Sequence, residues 1–174
     1  MPVEPDLTRQ TCVIDSPVGH LRLMAVDDAL TDVDWTEDVL SNAVPAGVLT
    51  DASVALLAYF DGSAQSFDVP LKPQGTTFQQ AVWQRLLQIP YGQVQTYADI
   101  AADLGSNARP VANACGKNPI PIIIPCHRVV GSNGALGGFS GGFGVSTKQE
   151  LLDIEGFQDG QGLPLFTSIN SKTQ

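Results

Sequence analysis

Five side chains of this 174-residue chain are natural nucleophiles, proton carriers or soft metal ligands: Cys12, Cys115, Cys126, His20 and His127. Only one cysteine has a histidine beside it, in the run Pro125-Cys126-His127-Arg128. The thiolate, not the thiol, attacks, so a reactive cysteine needs a group that lowers its pKa or takes its proton. His127 is adjacent, but neighbours on an extended chain face opposite sides. A direct Cys–His bond is therefore not assured. A water can bridge the two, and a carboxylate can orient the imidazole, as in hydrolase triads. Glu155 is the candidate carboxylate, because it closes a helix that can pack beneath the cysteine segment. A cysteine among aliphatics is more often a small buried hydrophobe. That reading is taken for Cys12 and Cys115, and on the local pattern alone it stays open for Cys126. There is no Cys-x-x-Cys, and a zinc site would need Cys12, His20 and partners that the sequence hardly supplies, so no metal is expected.

The bulk properties bound the setting. Apolar residues make up 43% of the chain and charged residues 16%, enough to bury a core and unlike a disordered segment. No apolar run is long enough to cross a bilayer, the N-terminus lacks a signal-peptide pattern, and the cysteines are few and odd in number. The expectation is a cytoplasmic protein. The net charge of -9 is unevenly placed. Residues 1–74 hold three basic against twelve acidic side chains, whereas residues 75–160 hold five against six. A strongly basic nucleic-acid footprint is absent.

The elements that must position Cys126 are readable from periodicity and punctuation. Residues 11–36 read as three strands separated by Ser16-Pro17-Val18-Gly19 and Asp27-Asp28. Residues 50–60 have helical apolar spacing, and 66–71 look extended. Lys72-Pro73-Gln74-Gly75 is a linker, which predicts a domain at 1–73, a second at 74–160 and a tail at 161–174. Residues 76–89 predict a helix opened by a capping box, Thr76 or Thr77 with Gln79 or Gln80, and with Phe78, Val82 (or Ala81), Leu86 and Ile89 on one face. Residues 97–104 predict a helix ended by Gly105. Ser106-Asn107 can cap the next, 108–116, in which Pro110 is tolerated near the start. Two short helices around a tight glycine turn make a helix-turn-helix pattern. Asn118 to Pro125 is apolar, β-branched and proline-rich, too stiff for a helix or a central strand, and delivers the chain into Cys126. Val129-Val130 is a short extended piece. Residues 131–144 form a glycine-rich loop, a usual place for a binding surface, and 147–154 the closing helix.

Pro125-Cys126-His127-Arg128-Val129-Val130, with Asn118-Pro119-Ile120-Pro121-Ile122-Ile123-Ile124 before it, resembles the active-site signature of the O6-alkylguanine-DNA alkyltransferases. The resemblance extends in order from Thr77-Phe78-Gln79-Gln80-Ala81-Val82-Trp83, through Ile89-Pro90-Tyr91-Gly92 and Tyr97, to Leu151-Leu152 and Glu155-Gly156, about half the chain. Asp15-Ser16-Pro17-Val18-Gly19 is similar to the family's first hairpin. The resemblance implies an α/β (α+β) protein: a small N-terminal ribonuclease-H-like domain with an antiparallel sheet, then a mostly helical domain with a helix-turn-helix that enters the minor groove. It implies single-turnover transfer of an alkyl group from O6-alkylguanine, or O4-alkylthymine, to Cys126. The partner would be double-stranded DNA with the damaged base flipped out. No cofactor and no membrane are implied, and the protein would act as a monomer.

By the same resemblance, His127 is the water-bridged base, Glu155 the carboxylate that orients it, and Tyr97 the residue that crowds the phosphate and donates a proton to the leaving base. Arg109 is the finger filling the vacated stack, with Ala108 and Ala112 beside it on the DNA-facing helix. Asn118 ties that helix to the active-site segment, and Pro121, Phe139 and Ser140 line the alkyl pocket. The chain departs from the family pattern at Pro110, where a small residue is usual, in the short turn 105–107, in a longer loop at 138–148, and at Phe139, where Tyr is frequent. The recognition helix is also poor in Lys and Arg, so modest DNA affinity is expected. Two other readings are a sensor that binds alkylated DNA without repairing it, which would not need Cys126, and a thiol hydrolase using Cys126 and His127.

Overall fold

The computed structural model describes residues 9–40, 45–136, 138–139 and 141–157. The chain divides into two compact units, residues 1–74 and 75–174. Among the described residues no helix is long and apolar enough to cross a membrane.

The first unit is an antiparallel sheet in the order β1 (Arg9–Ile14), β2 (Leu21–Val26), β3 (Ala29–Trp35), with α1 (Val48–Phe60) packed on it. The β2–β3 hairpin turns on Asp27 and Asp28, both left-handed at φ 51° and 61°, as a two-residue turn matching the strand twist requires. The period-2 pattern buries Leu21, Leu23 and Ala25 on one face, against Leu56 and Tyr59 of α1 in the unit's core. A register shift between Met24 and Ala25 lets consecutive residues of β3, Leu30 and Thr31, both be buried. Of the expected extended piece 66–71, only Leu71 pairs, bridging Leu30 at the sheet edge.

The second unit is mostly helical. α2 (Thr77–Leu86) opens with the expected capping box: Thr76 Oγ1 accepts from Gln79 N at 3.1 Å, and Thr76 N donates to Gln79 Oε1 at 2.9 Å. The helix ends at Leu86, shorter than the periodicity suggests, because Gln88 and Ile89 donate three residues back and tighten the end. Its buried face carries Trp83, not Phe78, which is half-buried, or Ala81, which is exposed. The indole has a polar anchor, donating from Nε1 to Ala114 O at 2.9 Å.

α3 (Tyr97–Leu104) has a capping box of its own, Thr96 with Asp99, and ends on Gly105 in the left-handed region at φ 63°. α4 (Ala108–Gly116) follows directly and packs on α2 and α3. Its N-cap is Asn107, but the side chain makes no capping hydrogen bond, contrary to expectation. A cap side chain accepts from the second or third helical N–H, and the third residue here is Pro110, which has none.

A two-stranded parallel pairing joins β4 (Gln95–Thr96) to β5 (Val129–Val130), and α5 (Val145–Ile154) closes the described fold. Leu86 is fully buried in the helical layer. Leu86→Ala is expected to cost about 2–5 kcal/mol, measured by urea unfolding. A loss under about 1 kcal/mol would mean the layer repacks around the cavity.

Candidate active site around Cys126

The approach to Cys126 is irregular and pinned. Asn118 Nδ2 donates to Ile124 O at 2.8 Å, and Asn118 Oδ1 accepts from Ile120 N at 3.0 Å, so one side chain clamps both ends of the intervening loop. Inside the clamp Ile122, fully buried and β-branched, sits at φ 76°. That conformation costs of order 1–3 kcal/mol and persists only where the surroundings over-determine it. Cys126–Arg128 then form one turn of 3₁₀-helix, not the extended strand on which neighbours face apart. All three side chains are buried.

The turn brings two of the sequence-derived candidates together at hydrogen-bond distance. His127 Nε2 lies 3.1 Å from Glu155 Oε2, and neither side chain is exposed to solvent. A carboxylate accepts, so Nε2 carries the proton and Nδ1 is left as an acceptor. Nδ1 is buried and has no protein partner among the described residues. Glu155 follows α5, whose buried face carries Lys148, Leu151 and Leu152. Val130, Leu136 and Leu152 form a core beneath, with Val94 and Phe157 packed on it.

Two residues of the cluster were not singled out from the sequence. Arg128 is buried and binds Glu155 through Nε, 2.7 Å from Oε1 and 3.1 Å from Oε2, and through Nη2 to Oε1. Lys148 is fully buried, its Nζ 5.8 Å from the Tyr97 ring centroid. The signal for Lys148 is in the spacing: 148, 151, 152 and 155 form one apolar-face stripe of a helix with a charge at each end.

The electrostatics follow from burial. Burial pushes the Cys126 thiol up, while the Asn118 side chain, which hydrogen-bonds the sulfur, and the Lys148 charge oppose it. Burial also pushes Cys115 up, to about 12, with the neighbouring Cys126 adding to it. Lys148 is pushed down by burial, against the pull of the two cysteines. Tyr97 is raised by burial and by both cysteines, so it keeps its proton at neutral pH. His127 is pushed down by burial, against the opposing pull of Glu155, with Arg128 and Lys148 adding to the depression. For Glu155, burial favours the neutral acid, but hydrogen bonds from His127 and Arg128, with their charges, outweigh it and hold the carboxyl below its ordinary value. At rest the site holds a thiol, a neutral imidazole and an ionised carboxylate.

The other candidates are placed more loosely. Tyr97 is half-buried, and its Oη is 3.4 Å from where a Cβ on Gly138 would sit; at φ 87° a side chain at 138 would be strained, so glycine suits the position facing the hydroxyl. Pro121 is buried and Phe139 half-buried; Ser140 lies outside the described residues. Ala108 and Arg109 are exposed at the start of α4. Ala112, half-buried, lines a groove of about 580 Å³ between α4 and the start of α2, and no residue of the thiol cluster contributes to that groove. Among the described residues no group of His, Cys, Asp and Glu is arranged to hold a metal ion.

Fold and site together define a class: a two-unit α/β protein with a thiol backed by a buried histidine–carboxylate pair. Residues 11–73 match the model of the 6-O-methylguanine DNA methyltransferase ribonuclease-like domain, and residues 77–157 the model of its DNA binding domain. The chain belongs to the 6-O-methylguanine DNA methyltransferase family. It is 40% identical over 152 residues to a methylated-DNA–protein-cysteine methyltransferase of Methanosarcina acetivorans, covering 83% of this chain and 96% of that one. The crystal structure of Mycobacterium tuberculosis O6-methylguanine methyltransferase superposes with a TM-score of 0.75 at 40% identity, covering 91% of this chain and 99% of that one. The Mycobacterium tuberculosis protein in complex with DNA gives 0.73 at 44% identity, covering 82% and 90%.

The shifts of His127 and Glu155 have the same sign and set a pH dependence. Both folded-state pKa values are depressed, so each group contributes stability above its unfolded value, 6.5 for His and 4.5 for Glu, that is lost as pH falls. The melting temperature is expected to decline as pH is lowered from about 7.5 to about 5, first through His127. A flat melting temperature across that interval would contradict a neutral buried imidazole.

Proposed function

We propose that this protein is a methylated-DNA–protein-cysteine methyltransferase that repairs O6-alkylguanine in double-stranded DNA by direct reversal, taking the alkyl group onto Cys126 in a single turnover. The observation that carries the reading is the buried His127–Glu155 pair behind the Cys126 turn. A thiol raised by burial is inert until a base takes its proton, and His127 is neutral, held at Nε2, with no partner for Nδ1 among the described residues.

In the proposed reaction the Cys126 proton passes through a water to His127 Nδ1, and Glu155 stabilises the imidazolium that forms. Sγ attacks the alkyl carbon, the C–O6 bond breaks, and its electron pair stays on the guanine. The leaving guanine anion takes a proton from Tyr97 Oη, which burial keeps protonated. Lys148, stacked on the Tyr97 ring, places a positive charge beside both the developing thiolate and the developing tyrosinate. No cofactor takes part. The product thioether has no leaving route, so each molecule acts once; O4-alkylthymine presents the same alkyl–oxygen bond.

DNA is read by α3, the Gly105 turn and α4 acting as a helix-turn-helix in the minor groove, with the damaged nucleotide flipped toward Cys126. Arg109, exposed at the second position of α4, fills the vacated stack, with Ala108 and Ala112 allowing close approach of the helix. Asn118 couples α4 to the active-site turn, and Pro121 and Phe139 line the alkyl pocket. The three cysteines are free thiols, which suits a monomer working in the reducing cytoplasm.

Intact-protein mass after mixing with a duplex carrying O6-methylguanine is expected to rise by one methyl group, mapped to the Cys126 peptide and absent in Cys126→Ser. An unchanged mass with folded protein and intact lesion would leave a sensor, and repeated turnover of an ester would leave a hydrolase. Arg109→Ala is expected to slow transfer from duplex roughly 10-fold or more, since unstacking costs a few kcal/mol, while sparing transfer from a free alkylated guanine. Equal losses on both substrates would rule out the finger role.

A further inference from the structure

Three side chains leave the Cys126–Arg128 turn, and the reaction above uses two of them. The third, Arg128, is as buried as its neighbours and fully engaged. Its Nε meets both oxygens of Glu155 at 2.7 and 3.1 Å, and Nη2 also meets Oε1. Nη1 donates to Ile89 O at 2.7 Å. The guanidinium carbon lies 5.8 Å from the Tyr91 ring centroid, and Tyr91 Oη donates to Ile154 O at 3.1 Å, one residue before Glu155. The segment after α2, the active-site turn and the end of α5 are thus tied through one guanidinium.

We propose that Arg128 is a positioning residue for the transfer: its planar fork, steadied by Tyr91 and Ile89, holds the Glu155 carboxylate ionised and aimed at His127 Nε2, which fixes the imidazole with Nδ1 as the acceptor toward Cys126. The inference rests on the alkyl-transfer reading. Its physical core is a contest at one carboxylate. A buried carboxylate with only an imidazole for company tends toward the neutral acid, and a carboxylic acid offers a proton to Nε2 instead of accepting one. That would turn the imidazole into the other tautomer, with its proton on Nδ1 and no basic nitrogen toward the thiol. The guanidinium fork removes that option, because Nε and Nη2 both hold Oε1 and Nε shares Oε2 with His127, so the carboxylate stays an acceptor on both oxygens.

Arg128 also cancels most of the Glu155 charge. A Glu155 that stayed ionised without Arg128 would instead draw His127 toward imidazolium, which is useless as a base. The charged and titratable groups acting on the pair are Arg128 from the turn, Lys148 from α5 and Tyr91 from the segment after α2. The two cations, Arg128 and Lys148, act on His127 in the same direction. The turn therefore carries nucleophile, base and the base's tuning group in three consecutive residues.

The test compares wild type, Arg128→Lys, which keeps charge but not the fork, Arg128→Met, which keeps neither, and Tyr91→Phe. Two readouts are taken. One is the single-turnover rate of methyl transfer from an O6-methylguanine duplex against pH. The other is the ¹⁵N spectrum of the histidine rings, simple because the chain has two histidines. Wild-type His127 is expected neutral, with its proton on Nε2. Arg128→Met is expected to lose about 10²-fold in rate at neutral pH, the lower end of what a positioned base contributes. Its loss should deepen as pH falls and Glu155 takes a proton, and the His127 signals should move from the Nε2–H pattern. Arg128→Lys should recover the shape of the pH profile with only part of the rate, and Tyr91→Phe should show a smaller loss of the same kind. A folded Arg128→Met with wild-type profile and tautomer, even at a lower melting temperature, overturns the proposal. If Arg128→Met does not fold, a wild-type tautomer and rate in Arg128→Lys overturn it. Absence of transfer by wild type refutes the alkyltransferase reading instead, and the histidine spectra still decide the role of Arg128.

Discussion

One carboxylate organises the second unit. Glu155 sits just past α5, buried, and is claimed from two directions by consecutive residues of the Cys126 turn. Burying an ionised carboxylate is expensive unless charge and hydrogen bonds replace the lost water, and removing either partner leaves an uncompensated buried group. The turn and the helix end are therefore not free to drift apart without a large penalty. This constraint holds the Cys126 turn in place, with an imidazole whose Nε2 is fixed by the Glu155 carboxylate.

Burial also sets the charge state of the site. Burial raises the thiol and depresses the imidazole, so neither is charged at rest. Lys148 is likewise buried at a cost, with its ammonium over the Tyr97 ring and beside two cysteines. The Lys148 charge opposes, without overcoming, the burial that keeps the Cys126 thiol protonated. The arrangement is a poor design for stability alone, since apolar residues of similar volume often do as well as buried ions. Ile122 at positive φ, held by the Asn118 clamp, is a second local cost in the same few residues. Both costs fall where an alkyl-accepting thiol would need pre-organisation.

The scaffold around the site is built from ordinary local rules. Capping boxes open α2 and α3, a left-handed glycine ends α3, and paired positive-φ aspartates turn the β2–β3 hairpin. Where a local rule fails, a specific residue contributes: Pro110, third in α4, removes one of the two N–H groups that an Asn107 cap could use.

What the sequence determined by itself was whatever depends on spacing and punctuation. The three-strand meander, the helices at 97–104 and 108–116, the break near Gly75 and the pinned run into Cys126 all follow from periodicity, glycine, proline and cap residues, which act within a few positions. The resemblance carried by Pro125-Cys126-His127-Arg128 and its flanks pointed to the family. The tertiary structure decided what depends on long-range proximity. The meeting of His127 and Arg128 on Glu155, the burial of Lys148 beside the Tyr97 ring and the β4–β5 pairing join residues far apart in the chain. No local propensity encodes such pairings. They exist because a buried charge must find its partner wherever the packed core places one.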